Sequence, residues 1–169
     1  MSITLIGGGA RSGKSRYALE LARRSGGRLA FVATARAEDD EMQRRISLHQ
    51  QERGSEFSTL EEPLALGALL GAQGARFDAI VVDCLTLWLS NLLFAAPESI
   101  ESESTVLLQS AAQAKARVLL VTNEVGCGIV PENALARQFR DLAGRLNQQA
   151  AEAADEVYWM VFGMPLKVK

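Results

Sequence analysis

The sequence holds two cysteines, one histidine and no excess of either charge: 18 basic residues face 20 acidic ones, for a formal net charge of -2. Each shortage excludes something. Cys84 and Cys127 lie far apart and form no C-x-x-C pair, so neither a disulfide framework nor a structural zinc site is expected. A balanced charge gives no basic field for nucleic acid and no acidic tail. No apolar run reaches the roughly 18 residues of a membrane span. The opening stretch MSITLIGGGARSGKS has no basic region followed by a long apolar one, so no signal peptide is expected. Internal repeats and a dividing linker are missing as well. The expectation is a cytoplasmic protein without a structural metal.

What is present suits one globular domain over residues 1–169, with 48% hydrophobic and 22% charged residues. SITLIGG, RLAFVAT, FDAIVVDC, RVLLVTN and VYWMVFG read as five buried strands. KSRYALELARRSGG reads as a helix closed by Gly26 and Gly27, and EDDEMQRRISLHQQER as one opened by a cluster of acids. EEPLALGALLGAQG, LTLWLSNLLFA, VLLQSAAQAKA and the long NALARQFRDLAGRLNQQAAEAADE supply further helices, and APESIESEST a solvated connection. Strands alternating with helices predict an α/β fold with a mainly parallel sheet covered on both faces.

Between the first strand and first helix, Gly8, Gly9, Ala10, Arg11, Ser12, Gly13, Lys14 and Ser15 match G-x-x-x-x-G-K-[ST]. Glycines let backbone N–H groups turn inward on a phosphate, and the helix start adds its positive end. Lys14 offers a charge to the β- and γ-phosphates, and Ser15 a hydroxyl to Mg²⁺. The plain alternative is a glycine-rich turn with a chance lysine. Asp83 closes the apolar strand AIVVD and suits the magnesium shell; it also suits an N-cap of the helix that follows. Together these predict a P-loop protein that takes a nucleoside triphosphate with Mg²⁺.

His49 is the single histidine. Met42, Ile46, His49 and Arg53 follow helical steps of four, three and four, and Arg45 lies one turn before His49. Arginines on both sides disfavour imidazolium, leave the ring neutral and can hold a phosphate. No second histidine or cysteine accompanies it, so metal binding is not favoured. A structural role stays open beside that of a nucleophile that attacks phosphorus.

GGARSGKSRYA, ATARAEDDEMQRRISLHQQER, DCLTLWLSNLL, LVTNEVGCGIVPENALARQFRDLAGRLNQQAAEAADEV and GMPLKVK occur in this order along nearly the whole chain. Together they resemble the bifunctional adenosylcobinamide kinase / adenosylcobinamide-phosphate guanylyltransferase family of cobalamin synthesis. The resemblance implies a RecA-like P-loop fold and two reactions. One phosphorylates adenosylcobinamide with ATP or GTP. The other carries GMP from GTP through a guanylylated His49 onto adenosylcobinamide phosphate. It further implies a nucleotide site at Gly8 to Ser15, Ala33, Thr34, Ala35, Gln50, Gln51, Glu52, Arg53, Glu61 and Asp83, and a homo-oligomer, a trimer, with sites near subunit boundaries. Some relatives carry glutamate where Asp83 stands. A P-loop small-molecule kinase without nucleotidyl transfer and a RecA-like ATP-binding module are the alternatives.

The loop TNEVGCGIVPEN follows a strand end, where α/β sheets carry ligands, and is expected over the active site. It also reads as a cap of the long helix, with Pro131 at the helix start. Arg137, Arg140 and Arg145 read as a solvated or subunit-contact face, Trp88 and Trp159 as core or interface residues, and Cys127 as inert.

Overall fold

A computed structural model describes residues 2–35 and 54–169. The elements run β1 (Ile3–Gly8), α1 (Lys14–Ser25), β2 (Leu29–Ala33), β3 (Phe57–Glu61), α2 (Leu66–Gln73), β4 (Ala79–Asp83), α3 (Leu85–Ala95), α4 (Ile100–Gln113), β5 (Arg117–Val121), α5 (Ala134–Ala153), β6 (Glu156–Val161) and β7 (Met164–Lys167). The strands form one sheet in the order β3-β2-β4-β5-β1-β6-β7. Every pairing is parallel except that of β6 with β7. The expected α/β sheet, mainly parallel and covered on both faces, is what forms.

Strand side chains alternate between two cores, as a pleated backbone requires. Leu5, Val32, Val82 and Leu120 face the core under α2 to α5. Ile6, Phe31, Val81 and Leu119 face the smaller core under α1, which closes it with Ala18, Leu21 and Ala22. Trp88 is fully buried in the larger core, as its sequence position suggested, and its indole N–H donates to the Leu64 carbonyl at 2.7 Å. Trp159 is half-buried on β6. Helices α2 and α4 approach closely at Gly67: a Cβ there would lie 2.7 Å from Val106 Cγ1 and 2.9 Å from the Leu107 nitrogen.

Four expectations are corrected. Residues 96–105 are not a solvated connection: a 3₁₀ turn at Pro97–Ser99 leads into α4, which begins at Ile100. Glu61 ends strand β3 instead of opening a helix. Pro131 does not start the long helix: Asn133 is its N-cap, its side chain accepting from the Ala136 N–H at 3.0 Å. Asp83 does not cap α3, whose N-cap position is Cys84. The acid-led helix expected at residues 38–53 lies outside the described residues. No helix among the described residues is long and apolar enough to cross a membrane.

Candidate active site

Parallel pairing brings the C-terminal ends of β1 to β5 to one edge. In register, Ala33 stands opposite Glu61 on one side and Asp83 on the other, Asp83 stands opposite Val121, and Val121 opposite Ile6 of β1. Gly8, Ala33, Glu61 and Asp83, far apart in the chain, therefore share the edge where open α/β sheets bind ligands.

From Gly8 the chain leaves β1 and loops to Lys14. Gly8 has a φ of 147°, and a Cβ there would lie 2.8 Å from Ser12 Oγ and 3.0 Å from the Met160 carbonyl oxygen. Only glycine fits that turn. Gly9, Ala10 and Arg11 are exposed, and Arg11 is held at a left-handed φ of 54°. Lys14 and Ser15 open α1, whose first turn has neither an acidic residue nor a side-chain cap. Its N-terminal N–H groups therefore remain available to an anion. Lys14 is buried, and its ammonium donates to the Gly9 carbonyl at 2.5 Å and to Ser12 Oγ at 3.4 Å.

Burial pushes the Lys14 pKa below its usual value, against the opposing pull of the nearby Asp83 carboxylate. Lys14 and Asp83 are thus near enough for their charges to act on one another. The Cys84 thiol, buried beside Asp83, is pushed up to about 11 and stays protonated. Thr34 is fully buried. Its hydroxyl donates to the Cys84 carbonyl at 2.8 Å and accepts from the Cys84 N–H at 2.7 Å. Its N–H donates to the Asp83 carbonyl at 3.2 Å, and its carbonyl accepts from Asn91 Nδ2 at 2.8 Å. Thr34 therefore holds the Asp83–Cys84 turn. Ala33 and Ala35 beside it are half-buried, and Glu61 is exposed at the outer strand.

The donors suit magnesium. Mg²⁺ prefers hard oxygens and keeps few protein ligands, sharing the rest of its shell with water and substrate phosphates. Ser15 and Asp83 provide a hydroxyl and a carboxylate at this edge. Among the described residues no cluster of three or more His, Cys, Asp or Glu could cage a metal.

The loop expected over the active site begins with polar groups at the end of β5, and two of their partners, Thr86 and Asn147, were not singled out in the sequence. Thr122 Oγ1 donates to Asn147 Oδ1 at 2.6 Å, and Asn147 Nδ2 donates to the Asn123 carbonyl at 3.3 Å. The Asn123 N–H donates to Thr86 Oγ1 at 2.7 Å. Next in the chain, the Glu124 N–H donates to the Gly8 carbonyl at 3.2 Å, tying this loop to the phosphate loop. Arg140 donates to the Gly126 carbonyl at 2.7 Å, and Arg137 to the carbonyls of Pro131 and Glu132 at 3.0 and 2.6 Å. Arg140, half-buried, and Arg137 thus hold the loop; Arg137 and Arg145 are exposed, in keeping with the solvated face expected of them. Asn147 carried a signal: it is a polar residue beside buried Leu146 on the amphipathic α5. Thr86 showed none.

His49, Gln50, Gln51, Glu52 and Arg53 lie outside the described residues. A separate groove of about 320 Å³ lies between α3 and α5, lined by Leu93, Phe94, Leu135 and Phe139 among others, and contains none of the expected site residues.

Comparison with known proteins follows the same line. The family model described as cobinamide kinase / cobinamide phosphate guanyltransferase matches residues 4–168. The bifunctional adenosylcobalamin biosynthesis protein CobP of Pseudomonas aeruginosa is 46% identical over 98% of this chain and 96% of its own length. The bifunctional adenosylcobalamin biosynthesis proteins CobU of Salmonella typhimurium and Escherichia coli are 44% and 41% identical, each over 98% of both chains. Among solved structures, the RadB recombinase is similar with a TM-score of 0.53 at 18% identity, over 94% of this chain and 73% of that one. A second solved structure, an ATPase domain, has a TM-score of 0.54 at 14% identity, over 94% and 68%. At such identities these two speak for the RecA-like P-loop fold alone.

Proposed function

This chain belongs to the cobinamide kinase / cobinamide phosphate guanyltransferase family, and from that premise we propose how its residues divide the two reactions. The acceptor is adenosylcobinamide, phosphorylated with ATP or GTP and then converted with GTP to adenosylcobinamide-GDP. One observation carries the reading: in a chain matched almost end to end by that family, the Gly8–Ser15 loop runs from the end of β1 into an uncapped helix start, at the same sheet edge where Asp83 ends β4.

In the kinase step the loop from Gly8 to Ser15 wraps the triphosphate with backbone N–H groups. Lys14 turns from the Gly9 carbonyl to the β- and γ-phosphates, whose negative charge opposes the lowering of its pKa by burial. Ser15 and Asp83 would hold Mg²⁺, which when bound neutralises charge on the phosphates. Thr34 fixes the Asp83–Cys84 turn and so aims the carboxylate.

In the second step the neutral imidazole of His49 attacks the α-phosphorus of GTP, and pyrophosphate leaves with the bonding electrons. A phosphate oxygen of adenosylcobinamide phosphate then attacks the same phosphorus and releases the imidazole. Ala33, Ala35, Gln50, Gln51, Glu52, Arg53 and Glu61 belong to the guanine nucleotide site in this reading. Residues 1–169 act as one catalytic domain, in the cytoplasm, within a homotrimer; the single two-faced sheet supports the one-domain part.

The test is incubation with Mg²⁺ and GTP radiolabelled at the α-phosphate, followed by denaturing electrophoresis. Acid-labile, alkali-stable label is expected on wild type and none on His49→Ala, which retains adenosylcobinamide kinase activity. Wild type that never takes label leaves a P-loop kinase with a structural histidine.

A further inference from the structure

We infer that Glu124 is the catalytic base of the phosphoryl-transfer step, the carboxylate that takes the proton of the acceptor hydroxyl. This deepens the kinase assignment above and rests on it. An alcohol attacking phosphorus must lose its proton, and a positioned carboxylate near the γ-phosphate is the common recipient. Four acids of the described residues stand at or just past the strand ends of this edge: Glu61, Glu62, Asp83 and Glu124. Glu61 ends β3, four places from β1 in the strand order. Glu62 is engaged, its Oε1 accepting from the Leu64 and Ala65 N–H groups at 2.9 and 2.7 Å. Asp83 ends β4, one strand removed from β1.

Glu124 follows β5, the immediate neighbour of β1, and its backbone is bonded to the first residue of the phosphate loop. It is half-buried. Its Oε1 accepts from the Gly126 N–H at 2.5 Å, while among the described residues Oε2 takes no hydrogen bond or ion pair. The flanking backbone is clamped at Asn123 by Thr86 and Asn147 and at Gly126 by Arg140. One oxygen is thus fixed and the other left available, beside the loop that holds the triphosphate. This is the arrangement a general base needs. The polar groups at the end of β5 acquire a purpose in the same way: they hold the carboxylate still.

In the step itself, the acceptor oxygen bonds to the γ-phosphorus and its proton passes to Glu124 Oε2. The bond from that phosphorus to the bridging oxygen breaks, and the nucleoside diphosphate leaves with the electron pair. Transfer of GMP to an acceptor phosphate needs no such base, because that oxygen is already ionised.

Glu124→Gln keeps an oxygen for the Gly126 N–H and removes the basicity. With adenosylcobinamide and ATP, kinase kcat is expected to fall about 10²- to 10⁴-fold, with the KM for ATP changed less than about threefold. In the same preparation, labelling from α-phosphate-labelled GTP is expected to continue, so that the two reactions part. Glu124→Asp, with a shorter carboxylate, is expected to recover part of the rate. A Gln variant whose kcat stays within about tenfold of wild type overturns the inference. So does a variant that loses both reactions together, or an Asp variant no better than Gln. Wild type without any kinase activity overturns the functional reading itself, a result separate from these.

Discussion

The Thr34 hydroxyl bridges the backbone of Cys84, donating to its carbonyl at 2.8 Å and accepting from its N–H at 2.7 Å. Both residues are buried, so nothing in solvent replaces these bonds when the hydroxyl is removed. Thr34→Val leaves the buried Cys84 N–H unpaired, while the Cys84 carbonyl keeps the Trp88 N–H at 3.1 Å, at an expected cost of about 1–3 kcal/mol in urea unfolding. Thr34→Ser keeps both bonds, loses only a methyl group and should cost about 1 kcal/mol. Because the same turn aims Asp83, kinase activity should fall in the valine variant even at temperatures where it remains folded.

Central strands were legible in the sequence because both of their faces are buried, which makes FDAIVVDC and RVLLVTN unbroken apolar runs. The same physics hid the edges. In β3 only Phe57 is fully buried, while Ser58, Thr59 and Glu61 are exposed, so FSTLE has no apolar run. All four residues of β7 are exposed, and Pro165 stands where an edge strand tolerates it. A signal did exist: Phe162 and Gly163, with φ of 50° and 81°, form a two-residue hairpin turn between VYWMV and MPLK. The start of α4 was missed although Ile100, Ser104, Leu107 and Ala111 form a buried stripe at steps of four, three and four. Its acidic outer face disguised it as a loop.

Of the candidate site, the phosphate loop and Asp83 were readable because motif and strand end coincide. Glu124 lies in the loop TNEVGCGIVPEN, but its tie to Gly8 depends on β5 lying next to β1. Sequence order does not show that adjacency.

Lys14 carries opposite demands from stability and function. Its pKa is lowered by burial, so the unfolded chain binds the proton more tightly than the folded one. Where that holds, stability rises with pH towards the unfolded value of 10.5, and at neutral pH the buried charge is a cost to the nucleotide-free protein. Lys14→Met should therefore melt at or above the wild-type temperature without nucleotide. Added ATP and Mg²⁺ should raise its melting temperature far less than that of wild type, and kinase kcat should drop by about 10²–10³. A variant that melts well below wild type contradicts the argument.

Glu156 fastens the last hairpin. Its carboxylate accepts from Lys167 at 2.8 Å, from Arg117 at 3.0 Å and from the Tyr158 hydroxyl at 3.3 Å, joining β5, β6 and β7. The bond from Lys167 is the largest cause that holds the Glu156 pKa below its usual 4.5. A carboxyl lowered on folding contributes stability that is present above the unfolded value and lost as pH falls through the folded one. Lys167 is raised by the same bond, so its share persists until pH climbs past 10.5. The link therefore operates between these limits. Glu156→Gln should lower unfolding stability at pH 7 by no more than about 1 kcal/mol, since the group is partly solvated. Urea titrations of both proteins at intervals from pH 7 to pH 3 should show this difference holding down to about pH 4.5 and closing below it, as the wild-type carboxylate takes up its proton. High salt should shrink the difference at pH 7 as well. A difference that is constant across the acid range would mean that the glutamine side chain disturbs packing, and that the ion pairs at the hairpin contribute nothing.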